Sequence, residues 1–290
     1  GSTEAAAGNV DVARLFAPVP VVSLDNVPRV LDQRNTTRML VSENRLSRPY
    51  HAGLGWVAGL TLTHNRARQS RAYLYGPLST TLPGVTNRVT EVTGYAEATA
   101  EILPGLIASG GLRLSHMRLG GEAQDVAFAL AQAGRATTAS RHETDLLPSF
   151  SLLATPVDNV RIYARYQEGF RPGGLAVDGN FVRRFRNDQV RTWEAGVRLG
   201  DRSRSLFDAS VALSHSRWRN IQADFIDSNG FPTTANIGDG RITSLSGALA
   251  MRPSDALTLE LGAVYNHSRV DDLAFEILPV FAAAPEGLGR

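Results

Sequence analysis

The chain has 290 residues, of which 43% are hydrophobic and 20% are charged, and this composition excludes disorder as the default. The formal net charge is +2. All 30 basic residues are arginines and they are spread along the chain, so a nucleic-acid partner is not expected. Cysteine is absent, which excludes disulfides and thiolate metal sites.

No stretch reaches the roughly 18–20 consecutive apolar residues of a transmembrane helix. If the chain enters a membrane, it must therefore do so as a closed β-barrel, because only helices and closed barrels satisfy the backbone in lipid. The opening GSTEAAAGNV lacks the charged and apolar regions of a signal peptide. We therefore expect a processed or internal piece of an exported protein.

The first part of the chain has no clear period. Residues 1–35 predict an irregular segment or loop, and residues 36–290 predict a partial β-barrel. The first strand is predicted from Thr36 to Leu46. From residue 54 onward, apolar and polar residues alternate with the period of two that is typical of strands.

A tight turn is predicted at Leu103-Pro104-Gly105, between two alternating segments. A register that keeps both apolar sets on one face places Tyr95 opposite Arg113 and Glu97 opposite Gly111.

The most informative strand is VRIYARYQEGF, residues 160–170. Its even-numbered positions are mostly apolar, whereas Arg161, Arg165 and Gln167 lie on the other face. One apolar and one strongly polar face is typical of a sheet with lipid outside and water inside.

The predicted connections alternate in length along the chain. Short turns are predicted at 103–105, 156–159, 201–204 and 253–255, and long loops at 65–88, 118–143, 171–188 and 227–240. This alternation predicts an all-β fold, an antiparallel transmembrane β-barrel segment of about ten strands with short periplasmic turns and long extracellular loops. A soluble β protein is the alternative, although its outward face would be the polar one.

Several motifs resemble those of TonB-dependent outer-membrane receptors. IYARYQEGFRPGG (residues 162–174) is similar to the family's Y-x-x-Y-x-x-G-F-R strand, and QVRTWEAGVR (residues 189–198) to its E-x-G strand. Further matches are Glu43-Asn44-Arg45-Leu46 before Trp56-Val57-Ala58-Gly59, then Gly94-Tyr95-Ala96-Glu97, and Asn236-Ile237-Gly238 before Ser246-Gly247. The resemblance spans about Thr36 to Pro285.

The resemblance implies a barrel of about 22 strands whose lumen holds a plug domain. It implies active uptake of a scarce ligand, most often a ferric siderophore, driven through TonB, in the outer membrane of a Gram-negative bacterium. The plug that meets TonB is expected outside this chain. Outer-membrane lipid, lipopolysaccharide and a small ligand are the other expected partners, and no cofactor is expected.

Charged residues on the polar faces are expected to point into the lumen. Either they form a structural ladder that also contacts a plug, or they touch substrate directly. The main candidates are Glu97, Arg113, Arg161, Arg165, Glu194 and Arg198.

Four arginines of the loop after residue 170 are candidate ligand contacts, because arginine holds anions through charge-assisted hydrogen bonds. They are Arg171, Arg183, Arg184 and Arg186. Contact with lipopolysaccharide phosphates, or a solvated loop, is the alternative. Haem is disfavoured because the FRAP and NPNL boxes of haem receptors are missing.

Motifs of enzymes and of metal sites are weak. G-x-S-x-G, P-loop, S-x-x-K and H-E-x-x-H patterns are all missing, and no histidine pair has helical metal-ligand spacing. The chain is therefore not expected to be an enzyme. An omptin-like surface protease, a small ten-stranded barrel with His267, Asp271 and Asp272 near one rim, remains an alternative, as does a soluble carbohydrate-binding β module.

Overall fold

The computed structural model describes residues 29–75, 78–125, 138–178, 181–200, 206–226, 232–254 and 256–273. These residues form the strands β1 Arg29–His51, β2 Leu54–Tyr75, β3 Leu78–Leu103, β4 Leu106–Gln124, β5 Thr138–Val157, β6 Val160–Arg171, β7 Gly174–Asp178, β8 Phe181–Phe185, β9 Asp188–Leu199, β10 Phe207–Ile226, β11 Pro232–Ser254 and β12 Leu257–Leu273. No helix in the described ranges is long and apolar enough to cross a membrane.

Ten strands form one antiparallel sheet in the order β1-β2-β3-β4-β5-β6-β9-β10-β11-β12. The remaining two, β7 and β8, pair only with each other. This up-and-down order confirms the predicted all-β fold of about ten strands. Within the described ranges no pairing joins β1 to β12, so both are edge strands.

The short turns lie at one end of the sheet, which we call the near rim; the opposite end is the far rim. β3 ends at Leu103 and β4 begins at Leu106, with Gly105 at φ +75°. The predicted register is confirmed, because Tyr95 pairs with Arg113 and Glu97 with Gly111. The predicted turn at 201–204 lies outside the described residues.

The predicted long loops are wrong as loops, because the strands continue through most of them. β3 alone has 26 residues, whereas a membrane strand needs only about 9–11. Of the four predicted loops, 65–88 is largely paired strand, 118–143 is paired strand at 118–124 and 138–143, 227–240 is strand from Pro232, and 171–188 contains β7 and β8. Beyond the apolar belt the outward face of strands such as β2 becomes polar, so the alternation that reveals a strand disappears there.

The first strand also begins earlier than alternation predicts. β1 starts at Arg29, which pairs with Tyr75, rather than at Thr36. Residues 29–35 are therefore strand and not part of an irregular segment. Residues 1–28 lie outside the described residues.

One face of the sheet carries a belt of exposed apolar side chains next to the near rim. Leu60, Leu112 and Leu213 are 46%, 49% and 53% exposed. A continuous belt of this kind indicates a surface that contacts lipid.

The other face is concave and encloses the hairpin of β7 and β8, which we call the inner hairpin. β7 contacts β3 and β4 on one side and β11 on the other, so the sheet curves around it. Leu175, Val177 and Val182 of the inner hairpin pack on Val85 of β3 in the main buried apolar cluster of the described residues. The inner hairpin therefore marks the concave face near the far rim.

Candidate ligand site on the concave face

A ladder of polar side chains lines the concave face closer to the near rim. Arg165 Nη2 lies 3.0 Å from Glu194 Oε2, and the Tyr163 hydroxyl donates to Glu194 Oε1 at 2.8 Å. A Cβ on Gly196 would lie 2.6 Å from the Tyr163 ring, so only glycine leaves room for that ring. Four motif residues thus form one unit.

A second cluster joins β3 and β4. Arg113 Nη2 lies 3.3 Å from Glu91 Oε1. The same oxygen accepts hydrogen bonds from the hydroxyls of Thr93, at 2.6 Å, and Ser115, at 3.0 Å. Thr93 and Ser115 are 2% and 0% exposed, so these hydrogen bonds stabilise the pairing of β3 with β4.

The remaining predicted lumen residues divide into a paired and an unpaired group. Arg198 Nη2 lies 2.9 Å from Asp208 Oδ2 near the near rim. Arg161 lies opposite Arg198 in the register. Glu97 and Arg161 are exposed, and no salt bridge joins either to another described residue. These two side chains are the ones available to another domain or a ligand.

The inner hairpin is fixed by Asn87 of β3 to the ten-stranded sheet, which we call the wall. Its Oδ1 accepts from the Leu175 backbone N–H at 2.9 Å, and its Nδ2 donates to the Leu175 carbonyl at 2.9 Å. One amide side chain thus satisfies both backbone groups of a hairpin residue, as a neighbouring strand would.

The base of the inner hairpin is held by an ion pair between Arg171, at the end of β6, and Asp188, at the start of β9. Asp188 is 2% exposed and accepts from the Arg171 Nε at 2.9 Å and from its backbone N–H at 3.1 Å. The guanidinium also lies 5.2 Å from the Trp218 ring centroid and donates to the Gln222 carbonyl at 3.0 Å. The hydrogen bonds to the Asp188 carboxylate raise the pKa of Arg171, and burial of the guanidinium opposes this shift.

Two amide side chains from β10 and β11 complete this clamp. Gln222 Nε2 donates to the carbonyls of Pro172 and Arg186, each at 3.0 Å. Asn236 Nδ2 donates to the Arg186 carbonyl at 3.1 Å, and its Oδ1 accepts from the Arg186 N–H at 2.6 Å. The motifs at residues 162–174 and 236–238 are therefore joined through this clamp, because Gln222, which holds Pro172, pairs with Asn236 in the sheet.

The four predicted ligand arginines lie in this region but not on one face. Arg171 is engaged in the clamp, and the backbone of Arg186 is fixed by Asn236 while its side chain is exposed. Arg183 and Arg184 are consecutive residues of β8 and so project to opposite faces of the inner hairpin. Arg184 lines a small cavity of about 70 Å³ together with Arg141.

A larger cavity, of about 410 Å³, lies between the inner hairpin and the far-rim ends of β1, β2, β10 and β11. Its lining mixes neutral polar and apolar side chains with Arg68 and Asp224, and Gln33 Oε1 is buried there without a hydrogen-bond partner in the described chain. The lining includes Gln33, Gln69, Asn87, Phe185, Asp224 and Thr233. Sequence reasoning misses this site because its residues come from segments predicted as loops.

Two carboxylates of β5, Glu143 and Asp145, lie beside the inner hairpin and beyond the apolar belt. Arg141 Nη2 lies 2.7 Å from Glu143 Oε1, and Gln189 Nε2 donates to Asp145 Oδ1 at 2.9 Å. Burial raises the pKa of Glu143, the Arg141 guanidinium lowers it, and the Asp145 carboxylate raises it.

Two of the residues proposed for a surface protease have described side chains, and both face away from the concave side of the sheet. His267 and Asp271 lie on the outward face of β12, and Asp271 is engaged by Arg241 at 3.0 Å and Arg269 at 3.5 Å. The side chain of Asp272 lies outside the described set. Within the described ranges no group of three His, Asp or Glu side chains is arranged to hold a metal ion.

Comparison with known proteins shows to which family this chain belongs. The family described as TonB dependent receptor-like, beta-barrel, matches residues 14–276. The chain belongs to this TonB-dependent receptor family. The family consists of transport receptors in the outer membrane of Gram-negative bacteria, so the resemblance seen in the motifs is confirmed.

Solved TonB-dependent receptor structures share the fold. The ferric yersiniabactin uptake receptor FyuA from Yersinia pestis superposes with a TM-score of 0.67 at 15% identity, over 83% of this chain and 37% of that one. The ferric citrate transporter FecA gives 0.62 at 15% identity, covering 83% and 37%, and the copper transporter OprC gives 0.61 at 12%, covering 82% and 38%.

These similarities establish the fold alone, and this chain spans less than two fifths of the length of those receptors. A search of curated proteins finds no match.

Proposed function

We propose that this TonB-dependent receptor chain forms part of the wall of an outer-membrane receptor that takes up a scarce ligand, with a ferric siderophore as the favoured class. The observation that carries the proposal is the inner hairpin, clamped at its base and bounding a cavity of about 410 Å³ near the far rim. A pinned hairpin inside a polar lumen is a preorganised surface for a ligand.

The proposal places the far rim outside the cell. The apolar belt lies next to the near rim, whereas strands of 20–26 residues such as β5 and β3 continue well beyond it. Barrel strands of outer-membrane proteins extend in this way on the extracellular side. A ligand would then reach the cavity from the medium.

We propose that further strands complete the barrel and that a plug fills it. The edges of β1 and β12 have no partner among the described strands, and exposed edges of this length attract other strands. Glu97 and Arg161, exposed on the concave face, are proposed plug contacts. TonB would act through that plug.

Arg171, Arg183, Arg184 and Arg186 are proposed ligand-binding residues, with different roles. Arg171 would act by holding the inner hairpin through Asp188. The exposed side chains of Arg183 and Arg186 would contact an anionic ligand from the lumen.

The ligand class is testable because structural neighbours of both kinds exist, ferric-chelate receptors and a copper transporter. The complete gene is expressed in a siderophore-deficient host that lacks its own iron receptors. Accumulation of radiolabelled iron is measured with citrate, a catecholate or a hydroxamate as chelator, and copper accumulation is measured in parallel. The matched control is the same host without TonB.

We expect TonB-dependent accumulation of iron with at least one of the chelators. Accumulation of copper but not of iron would replace the ligand class while keeping the receptor. No accumulation, or accumulation that persists without TonB, would contradict active uptake.

A further inference from the structure

The small cavity of about 70 Å³ lies on the wall side of the inner hairpin. It is enclosed by the concave face of β3, β4 and β5 and by residues 173–175, where the inner hairpin begins. Asn87 and Leu175 line both this cavity and the one of about 410 Å³, so they stand between the two. The small cavity is therefore a space of its own beneath the inner hairpin.

The pairing within the inner hairpin directs Arg184 toward this cavity. Leu175 lies directly opposite Arg184 in the register, and directly opposed residues of an antiparallel pair share a face. Leu175 is 2% exposed and packs on the wall, because a Cβ on Gly121 would lie 2.6 Å from its Cδ1. Arg184 therefore lies on the wall side, whereas Arg183 lies on the other face.

A second guanidinium reaches the cavity from β5 of the wall. Arg141 Nη2 lies 2.7 Å from Glu143 Oε1 and donates to the Phe185 carbonyl at 3.5 Å. Arg141 Nε is buried and has no hydrogen-bond partner in the described chain. A buried donor without an acceptor is unfavourable, so an acceptor atom is expected beside it.

The charges around the cavity are predominantly positive. Arg88, Arg141 and Arg184 line it, and its described lining includes neither aspartate nor glutamate. Arg88 pairs with Glu122 at 2.9 Å, and Glu143 partly offsets Arg141. Two guanidiniums that line one enclosed space repel each other more strongly than in water, since the effective dielectric constant is lower there. A negative group in the cavity would relieve this repulsion.

The size of the cavity limits what this negative group can be. A buried water needs about 10–15 Å³, so a cavity of about 70 Å³ has room for a few water-sized groups. This space suits a tetrahedral oxyanion such as phosphate or sulfate. A metal chelate is too large, because pockets for ligands of that size have about 300–1,000 Å³.

We propose that a free oxyanion of the size of phosphate or sulfate binds between Arg141 and Arg184 and fixes the inner hairpin to the wall. Arginine holds such anions through parallel charge-assisted hydrogen bonds. Because Arg141 belongs to the wall and Arg184 to the inner hairpin, one anion held by both joins the two parts. The anion is a structural co-ligand and not the transported ligand, so the inference does not depend on the proposed ligand class.

The experiment measures binding of radiolabelled inorganic phosphate to the complete receptor by equilibrium dialysis in detergent. The test variant is R141Q/R184Q. The matched control is R66Q/R118Q, which removes two exposed arginines from the outward face of the wall. A third variant, E143Q, removes the carboxylate that competes for Arg141. Heat-modifiable migration on gels reports folding, and hydrogen exchange reports the protection of residues 174–185.

We expect saturable phosphate binding by wild type and by R66Q/R118Q, and binding weakened roughly 10-fold or more in R141Q/R184Q, because charge-assisted hydrogen bonds are lost. E143Q should bind phosphate more tightly than wild type. Phosphate should slow exchange in residues 174–185 of wild type. Absence of saturable binding, equal affinity in the two double variants, or unchanged exchange in the inner hairpin overturns the proposal.

Competition separates this site from the larger cavity. Sulfate should displace phosphate, whereas citrate, which is too large for about 70 Å³, should not. Displacement by citrate as effective as by sulfate would place the phosphate in the larger cavity and overturn the separate site. Should R141Q/R184Q not fold, R184Q decides, because the Arg184 side chain is exposed. Unchanged phosphate affinity in R184Q overturns the proposal.

Discussion

The Tyr163 ring lies over the bare backbone of Gly196 and its hydroxyl donates to Glu194 Oε1 at 2.8 Å. The same arrangement recurs on the other side of the sheet, where the Tyr95 ring covers Gly59 and its hydroxyl donates to Glu43 at 2.6 Å. An aromatic ring over a glycine shields the backbone and sets the register of neighbouring strands. The same contact of a tyrosine with a glycine and a glutamate therefore occurs twice in the sheet.

Replacement of Gly196 by alanine should destabilise the wall by about 1–3 kcal/mol, because the new methyl group would enter the Tyr163 ring. Gly94→Ala is the matched control, since a Cβ there meets nothing within 4 Å. The measurement is the midpoint temperature of heat-modifiable migration of the complete receptor. Equal midpoints for the two variants would mean that the ring moves aside without cost.

Much of the apolar half of the wall is readable from sequence. The tight turn at Gly105 and the alternation on both sides leave one register, and that register places Tyr95 opposite Arg113 as observed. Where one face meets lipid, a slip by one residue would put polar side chains outward. The pattern is therefore unambiguous there.

The far-rim half is not readable in this way. His64 and Arg66 point outward from β2, so this strand has lost its apolar face and resembles a loop in sequence. The clamp is also hidden, because Arg171 and Gln222 are 51 residues apart and meet only through the strand order.

The clamp predicts that Asp188→Asn lowers ligand uptake more than it lowers assembly. Asp188 is 2% exposed, and its carboxylate holds Arg171, which spans the base of the inner hairpin. Loss of the charge should cost roughly 2 kcal/mol locally and free the inner hairpin. Uptake of the accepted ligand and the amount of folded receptor are measured together.

Asp208→Asn is the control for this prediction, because it removes the carboxylate of a comparable pair, Arg198–Asp208, near the opposite rim. We expect it to change folding midpoint without a selective loss of uptake. If both variants reduce uptake in proportion to folded receptor, the clamp has no specific role in ligand binding.

The raised pKa of Glu143 predicts a pH-dependent difference between wild type and Glu143→Gln. Because the folded-state pKa is above the unfolded value, wild-type stability falls as pH rises through that interval, where the unfolded chain ionises more readily. The glutamine variant lacks this loss. Its heat-modification midpoint should match wild type at about pH 4 and exceed it at about pH 8. A wild-type advantage at the higher pH would mean that the Arg141 ion pair dominates.

Gly173 tests whether the inner hairpin must keep its present position. A Cβ there would lie 2.4 Å from the Phe185 carbonyl oxygen and 2.1 Å from Arg141 Nη2, and the backbone oxygen cannot move without shifting β8. Gly173→Ala should therefore displace the inner hairpin and weaken ligand binding at least 10-fold, while the ten-stranded wall still assembles. Gly120→Ala, where a Cβ meets nothing within 4 Å, is the matched control and should bind as wild type does. Ligand affinity is measured on folded receptor by equilibrium binding; unchanged affinity in Gly173→Ala would show that the cavity beside the inner hairpin is not the ligand site.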